Sequence, residues 1–329
     1  MFVLITKKRG WSLFKKGYIM KTVFLLVWIS MVSMGCLAQV GTEKVYLEVD
    51  GLIRFYQVYL PRTYDAKKSY PVVFILHGGG GKAKGMLNFT GRRFNELADR
   101  DGFIAVYPNG YRRGWNDGER DTLSVARRLK IDDVGFFDAM IDDLDQKLAI
   151  DRKNIFACGI SNGGFMVQRL AIERSRVFKA IGVVAATMSG DQQKTDPGNP
   201  VPVIFIGGDA DPLVPYNGGP VVVLKQKRGE VLSNAEAIQY WKNVNGCSQK
   251  SDVYAFPDIN TDDDCTAVKT VWENPANDRL KIVDIKVVNG GHTWPGMRQY
   301  LPRSMVGNTN RDFNGCDEIW AFFESTITQ

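Results

Sequence analysis

The chain has 329 residues, of which 44% are hydrophobic and 24% are charged, a balance that excludes a disordered or collagen-like chain and a protein with many membrane spans. The formal net charge is +6, but residues 1–38 contain six of the 42 basic residues and no acidic residue. The other 36 basic residues balance the 36 acidic ones, so charge predicts neither a nucleic-acid partner nor binding to an anionic membrane.

The N-terminal segment has the pattern of a signal peptide. Lys21 is followed by an apolar run that ends near Ala38, and this run is too short and wrongly flanked for a membrane span. We therefore predict a signal peptide over residues 1–38, with Met20 as a candidate start, and a secreted protein that is extracellular or periplasmic. A lipid anchor on Cys36 is the alternative.

Two segments with alternating apolar and polar residues open the predicted domain. They cover residues 44–49 and 53–60, and Asp50-Gly51 joins them. An Asp-Gly pair between alternating segments is typical of a tight β-hairpin. The first two strands are therefore predicted to be antiparallel.

Beyond the hairpin, six short and almost wholly apolar runs predict strands that are buried on both faces. These runs are residues 72–76, 103–106, 155–157, 180–185, 203–206 and 282–288. Helical spacing of apolar residues predicts helices over residues 88–100, 133–149, 162–174, 233–245 and 313–325. The alternation predicts one α/β domain over residues 40–329, with a mostly parallel central sheet, an antiparallel N-terminal hairpin and helices on both faces.

Four cysteines follow the predicted signal peptide, in a compartment where disulfides persist. Cys158 lies in an apolar run and is predicted to be buried. Cys247 and Cys265 both lie in the polar, turn-rich stretch 245–266. A disulfide that closes this loop is one prediction and would add about 3 kcal/mol of stability; the sequence leaves Cys316 open as the other partner of Cys247.

Residues 159–163 match the pattern G-x-S-x-G, with Ser161 at its centre. The pattern lies between the predicted strand 155–157 and the predicted helix 162–174. A serine on a sharp turn from strand to helix is held exposed at the edge of the sheet, and glycines beside it avoid collisions with neighbouring backbone. Ser161 is therefore the candidate nucleophile.

The chain has two histidines that could serve as the base for this serine. His292 lies in a glycine-rich loop directly after the predicted strand 282–288, where its side chain can reach the edge of the sheet. His77 opens a run of four glycines after the predicted strand 72–76, which is typical of a loop whose N–H groups bind an oxyanion. His292 is therefore the predicted base.

The acid that orients the histidine is expected to follow a strand, and this strand should lie between Ser161 and His292 in the chain. Asp209 and Asp211 both follow the predicted strand 203–206, and the residues alone do not choose between them. The order serine, aspartate, histidine is that of α/β-hydrolases and differs from the orders in chymotrypsin and subtilisin.

Four segments together resemble the polyhydroxybutyrate depolymerase and feruloyl esterase family of α/β-hydrolases. They are residues 77–81 (HGGGG), 159–163 (GISNG), 211–215 (DPLVP) and 291–296 (GHTWPG). The resemblance covers nearly all of the chain after about residue 45. It implies that Ser161 is the nucleophile, His292 the base and Asp211 the acid.

The mechanism that follows is acyl transfer through Ser161, with the oxyanion held by the N–H groups of Asn162 and Gly79. No cofactor is required, and two histidines without a His/Cys cluster predict no metal site. Trp115 and Trp294 lie in predicted loops at the same edge of the sheet and are candidate substrate-binding residues, with ordinary packing under the loops as the alternative.

The predicted function is therefore a secreted serine carboxylic ester hydrolase, most simply a feruloyl or acetyl esterase whose substrates are plant polysaccharide esters. Only 37 residues follow His292, which disfavours the separate substrate-binding module of enzymes that degrade solid polyester. A polyhydroxybutyrate depolymerase acting on hydroxyalkanoate esters remains the alternative. A serine peptidase on the same fold and a non-catalytic secreted binding protein are the other two hypotheses.

Overall fold

The structure is a computed structural model that describes residues 41–119, 124–223 and 226–327. The predicted signal peptide, its candidate start at Met20 and the alternative lipid anchor at Cys36 lie outside these residues. Within the described ranges, no helix is both long enough and apolar enough to cross a membrane.

Twelve strands are found in the described residues, and ten of them form one sheet in the order β1-β2-β4-β3-β5-β6-β7-β12-β11-β10. The strands are β1 (Gly41–Val49), β2 (Leu52–Leu60), β3 (Tyr70–Leu76), β4 (Ile104–Pro108), β5 (Ile150–Ile160), β6 (Phe178–Val184), β7 (Val203–Gly208), β8 (Gly219–Val223), β9 (Gln226–Val231), β10 (Gln249–Ala255), β11 (Thr266–Asn274) and β12 (Asn277–Val288). The six central strands, from β4 to β12 in this order, are parallel. An antiparallel pair extends the sheet at each edge.

The helices lie on both faces of this sheet. They are α1 (Ala83–Phe89), α2 (Arg93–Asp101), α3 (Val125–Arg128), α4 (Asp133–Lys147), α5 (Asn162–Glu173), α6 (Gly190–Gln193), α7 (Asn234–Asn245), α8 (Arg303–Val306) and α9 (Gly315–Glu324). Side chains of α4, α5 and α7 share one apolar core with the sheet, and those of α1, α2 and α9 share the other. The predicted α/β fold with a mostly parallel sheet is confirmed.

The predicted N-terminal hairpin is also confirmed. β1 and β2 pair in antiparallel register, with Val49 opposite Leu52. Asp50 and Gly51 form the turn with φ angles of +50° and +70°. A two-residue hairpin turn of this hand needs positive φ at both positions, which Asp and Gly tolerate better than most residues.

Residues 88–100, predicted as one helix, are divided between α1 and α2. The break falls at Gly91 and Arg92, whose φ angles are +60° and +61°. Left-handed backbone cannot continue a right-handed helix. The apolar spacing predicted the helical residues but did not show this turn.

The stretch 245–266, predicted as a loop, contains the strand β10. All seven residues of β10 are exposed, because it is the last strand of the sheet and pairs only with β11. An exposed edge strand has no apolar run to indicate it. The sequence also did not predict the hairpin β8–β9, which follows the predicted acid. This hairpin forms a separate two-stranded sheet that is only partly buried, so it has no continuous apolar run to indicate it.

The disulfide predicted between Cys247 and Cys265 is wrong. The four described cysteines, Cys316 included, are unpaired and buried. The Sγ of Cys247 lies 3.3 Å from the carbonyl oxygen of Leu280, and the Sγ of Cys265 lies 3.5 Å from that of Asn289. Nine residues of extended chain separate these two carbonyls, about 30 Å, whereas a disulfide needs Cα atoms within about 7 Å.

Candidate active site

Ser161 occupies the turn between β5 and α5. Its φ of +56° and ψ of −125° lie outside the regions that L-residues ordinarily adopt. The Ser161 N–H donates to the carbonyl of Val184 at 2.9 Å, and its carbonyl accepts from the N–H of Phe165 at 3.0 Å. Neighbouring β6 and the first turn of α5 therefore hold the strained residue in place.

The glycines on either side of Ser161 are required by close backbone contacts. A Cβ on Gly159 would lie 2.6 Å from the carbonyl of Gly163, and a Cβ on Gly163 would lie 2.7 Å from the carbonyl oxygen of His77. The turn thus packs directly against the start of the glycine loop, residues 77–81. The two glycines of the G-x-S-x-G pattern are therefore explained by this close packing.

Gly163→Ala is expected to destabilise the protein by about 1–3 kcal/mol, because its methyl group would overlap backbone atoms that cannot move independently. Urea unfolding of the purified variant measures this. Gly85→Ala is the matched control: it lies in α1 with no atom within 4 Å of the added Cβ, and alanine favours a helix by about 1 kcal/mol over glycine. Equal midpoints for the two variants would show that the turn tolerates a side chain.

His292 lies in the loop that follows β12 and is bonded to Asp211. Its Nδ1 is 2.7 Å from Oδ2 of Asp211, and both side chains are almost fully buried. The other oxygen of Asp211 accepts from the N–H groups of Leu213 and Val214 at 2.8 and 2.9 Å. A carboxylate only accepts, so Nδ1 carries the proton and Nε2 of His292 has a free lone pair.

Asp209, the other candidate acid, has different partners. Its carboxylate accepts from the N–H of Asn289 at 2.7 Å and lies 3.1 Å from Nζ of Lys286. It holds the end of β12, from which the loop of His292 starts. Of the two aspartates, the structure therefore brings only Asp211 to the histidine.

Ser161, Asp211 and His292 follow the carboxyl ends of β5, β7 and β12, which lie at one edge of the parallel sheet. We call this the carboxyl edge. Within the described residues the hydroxyl of Ser161 forms no hydrogen bond with Nε2 of His292. Such a hydrogen bond is often long in a free enzyme and shortens when substrate binds. The aspartate and histidine are thus already joined, and the serine shares their edge.

The glycine loop lies against the serine turn. A Cβ on Gly78 would be 3.4 Å from the Cβ of Ser161. The N–H groups of Gly80 and Gly81 are bonded to the carbonyls of Arg113 and Gly78. In the described part of the chain the N–H of Gly79 has no acceptor, and the N–H of Asn162 belongs to the unpaired first turn of α5.

His77 holds this loop and has no free nitrogen. Its Nδ1 donates to the carbonyl of Gly78 at 2.8 Å, and its Nε2 accepts from the N–H of Gly110 at 3.0 Å. Burial, opposed by the hydrogen bond to Gly78 and aided by the nearby Arg113 charge, lowers the pKa of His77 to about 4. A neutral imidazole with both nitrogens occupied cannot take a proton from serine.

The prediction that Trp115 and Trp294 contact the substrate does not fit their positions. Both side chains are fully buried, at 0% exposure. Trp115 donates from Nε1 to the carbonyl of His77 at 2.8 Å, under the glycine loop, and Trp294 packs edge-on against Phe94 with ring centroids 6.2 Å apart. The sequence predicted that both residues lie in loops at the carboxyl edge of the sheet, but it could not show that their side chains point into the core.

Two contacts at the site were missed by sequence reasoning. The side chain of Asn162 accepts from the N–H of Trp115 at 2.8 Å and donates to Asp117 at 2.7 Å, so it anchors the segment beside the glycine loop. The hydroxyl of Tyr300 donates to the carbonyl of His292 at 3.1 Å, and its ring packs edge-on against Phe89 at 5.2 Å. Two aromatic side chains in separate loops give no signal of their contact in the sequence.

This sheet, with a strained serine after one strand and a buried aspartate–histidine pair after two others, defines an α/β-hydrolase. Residues 89–198 match the sequence profile of the prolyl oligopeptidase family. Over 287 residues the chain is 31% identical to "Putative esterase NocK" of Nocardia uniformis subsp. tsuyamanensis, covering 85% of this chain and 82% of that protein. The chain therefore belongs to the same esterase family and is a serine carboxylic ester hydrolase, which sets aside the non-catalytic alternative.

Two further similarities agree with this family. Feruloyl esterase C of Emericella nidulans is 30% identical over 191 residues, covering 57% of this chain and 65% of that protein, so the match spans less than two thirds of that relative. The structure of an acetyl xylan esterase from Aspergillus awamori superposes with a TM-score of 0.55 at 14% identity, covering 86% of this chain and 99% of that one. The second similarity shows the fold.

Proposed function

We propose that Ser161, His292 and Asp211 are the catalytic triad of this esterase. The observation that carries the proposal is the 2.7 Å contact between Nδ1 of His292 and Asp211 at the edge where Ser161 stands. His77 is not an alternative base, because both of its ring nitrogens are occupied. Covalent labelling of Ser161 by a fluorophosphonate tests the nucleophile.

In the proposed mechanism the oxygen of Ser161 attacks the ester carbonyl carbon while Nε2 of His292 takes its proton. The resulting imidazolium is stabilised by Asp211 and gives the proton to the departing alcohol, leaving an acyl-serine. Water then attacks the acyl-serine in the same way and releases the acid. Both tetrahedral intermediates carry an oxyanion, which the N–H groups of Asn162 and Gly79 would bind, each contributing about 3–4 kcal/mol to barrier reduction.

For the substrate we propose feruloyl or acetyl esters of plant oligosaccharides. The similarity to Feruloyl esterase C supports this choice. The half-buried rings of Tyr300 and Phe89 beside His292 offer an apolar surface for a flat acyl group. Hydroxyalkanoate polyester is the second candidate, because the four segments together resemble a family that includes polyhydroxybutyrate depolymerases as well as feruloyl esterases.

We expect methyl ferulate to be hydrolysed with at least tenfold higher kcat/KM than short 3-hydroxybutyrate oligomers, because the aromatic surface favours its flat aromatic acyl group by about 1.4 kcal/mol or more. Acetylated xylan fragments, whose acyl group is small, are the third substrate. Initial rates with purified protein on the three substrates measure this. Faster clearing of polyhydroxybutyrate films per active site than release of ferulate or acetate would favour the polyester substrate instead.

We also propose that residues 40–329 form one catalytic domain that is exported after removal of residues 1–38. The pattern of basic and apolar residues before Ala38 supports export. N-terminal sequencing of the exported protein tests it: a start at Gln39 supports the signal peptide, and a lipid-modified Cys36 supports the anchor.

A further inference from the structure

Two exposed arginines stand beside the glycine loop. The carbonyl of Arg113 accepts the N–H of Gly80 at 2.7 Å, so the turn that carries Arg112 and Arg113 is bonded directly to the loop. Both side chains are exposed, and within the described residues neither forms an ion pair. The two guanidinium groups are therefore available to a ligand at this edge.

The backbone of this turn is strained at both arginines. Arg112 and Arg113 have φ angles of +49° and +70°. Residues other than glycine and asparagine rarely adopt this left-handed conformation at two successive positions. The turn is also tight, since a Cβ on Gly110 would lie 2.5 Å from the carbonyl oxygen of Gly114. Strain of this kind persists at sites where the geometry has a use.

A third cation lies on the same side of the loop. Lys82 is exposed and directly precedes α1, whose first N–H, on Ala83, donates to Asn109 beside the arginine turn. We call Lys82, Arg112 and Arg113 the cationic rim. Because charges after residue 38 balance overall, this rim is a local feature of the site.

The turn that carries Arg112 and Arg113 also lies against the residue that follows the nucleophile. A Cβ on Gly114, next to Arg113, would lie 3.7 Å from the side-chain oxygen of Asn162, the residue after the nucleophile. The charge of Arg113 also contributes to the low pKa of His77 in the glycine loop. The turn that carries the two arginines therefore lies at the same edge of the sheet as Ser161, where one substrate molecule can contact both.

We propose that the cationic rim binds a carboxylate carried by the ester substrate, and so selects anionic esters over neutral ones. This inference rests on the proposed function. Arginine recognises a planar carboxylate with two parallel hydrogen bonds, and an exposed lysine adds a point charge. Two sources present this group near an ester: a uronate in an acidic oligosaccharide, and the free acid end of a hydroxy-acid oligomer.

The experiment compares kcat/KM within two matched pairs of substrates. One pair is a feruloylated xylo-oligosaccharide with and without a glucuronate substituent, and the other is a 3-hydroxybutyrate dimer as free acid and as methyl ester. We expect the wild type to prefer the carboxylate member of one pair by about tenfold at low salt, with the preference reduced at 0.5 M NaCl by screening. The preferred pair identifies the source.

Variants test whether the rim causes the preference. Arg112→Gln/Arg113→Gln should bring the ratio near one, and Arg112→Lys/Arg113→Lys should keep only part of the preference, because the charges remain but the two parallel hydrogen bonds to the carboxylate are lost. The control is Lys153→Gln/Arg176→Gln, which removes two exposed cations. Lys153 lies near the start of β5 and Arg176 follows the end of α5, at the opposite edge of the sheet. This variant should keep the wild-type ratio.

A ratio near one for the wild type in both pairs would overturn the proposal. So would a preference that survives Arg112→Gln/Arg113→Gln or that the control variant abolishes equally. Failure of the wild type to hydrolyse any of the four esters would overturn the proposed function, and this inference with it. Hydrolysis of neutral esters without discrimination would overturn only the inference.

Discussion

Ser161→Ala and His292→Ala are each expected to lower kcat for ester hydrolysis by about 10⁴- to 10⁶-fold, because the nucleophile and its base act as one unit. The double variant should be no slower than either single variant, for the same reason. Rates with 4-nitrophenyl acetate and methyl ferulate measure the loss, and a fluorophosphonate should fail to label Ser161→Ala.

The folded state should survive Ser161→Ala with little change in stability, whereas His292→Ala removes the buried partner of Asp211 and should lower the unfolding midpoint without abolishing the fold. Ser161 is only half-buried at the edge of the sheet, and its removed hydroxyl forms no hydrogen bond within the described residues. Thermal unfolding of the variants provides the control, since a cooperative transition above the assay temperature separates lost chemistry from lost structure. Retention of more than about a tenth of wild-type activity by either variant, in folded protein, would contradict the assigned triad.

Asp211→Asn is expected to lower kcat by about 10⁴-fold. The amide cannot stabilise the imidazolium of His292, and it no longer enforces the proton on Nδ1, so Nε2 loses the lone pair that must accept the serine proton. Steady-state kinetics at neutral pH measure the effect. KM should change little, because Asp211 is buried behind the histidine and would not contact the substrate.

Asp209→Asn is the matched control, two residues away with the same change of atoms. Its amide oxygen can still accept from the N–H of Asn289, and only the partly exposed ion pair with Lys286 is lost. Such pairs contribute about 0–1 kcal/mol, so we expect less than a tenfold change in kcat. The reverse ranking of the two variants would assign the acid to Asp209.

Much of the fold could be predicted because its central strands are buried on both faces. β3 and β7 are continuous apolar runs, and the helix α5 shows its apolar face at helical spacing. The edge strand β10 could not be predicted in the same way, since all its residues are exposed. Within the described residues it pairs only with β11, and the paired residues of β11 lie 13 to 24 positions later in the chain. A local sequence pattern predicts burial, and β10 has no buried residue. The opposite edge strand, β1, is partly buried at alternate residues and could therefore be predicted.

The errors at the site have a related cause. Trp115 and Trp294 were placed correctly at the carboxyl edge, yet their side chains point inward and are fully buried. The direction of a loop side chain depends on what packs beneath it, and here that is His77 and Phe94 from distant parts of the chain. The pairing of Cys247 failed similarly, because antiparallel β10 and β11 carry the two cysteines to opposite ends.

By itself the sequence determined the N-terminal hairpin, the six central strands, the long helices α4, α5, α7 and α9, and the serine turn. It also offered His292 as one of only two histidines in the chain. These are local properties, written in apolar periodicity and in glycines that only close backbone contacts require. Only the tertiary structure placed Asp211 rather than Asp209 against His292, occupied both nitrogens of His77, and brought the turn of Arg112 and Arg113 beside the glycine loop. Each of these features depends on contacts between residues that are far apart in the chain. Hydrogen bonds and charges act over distances in space, and these distances cannot be read from the spacing of residues in the sequence.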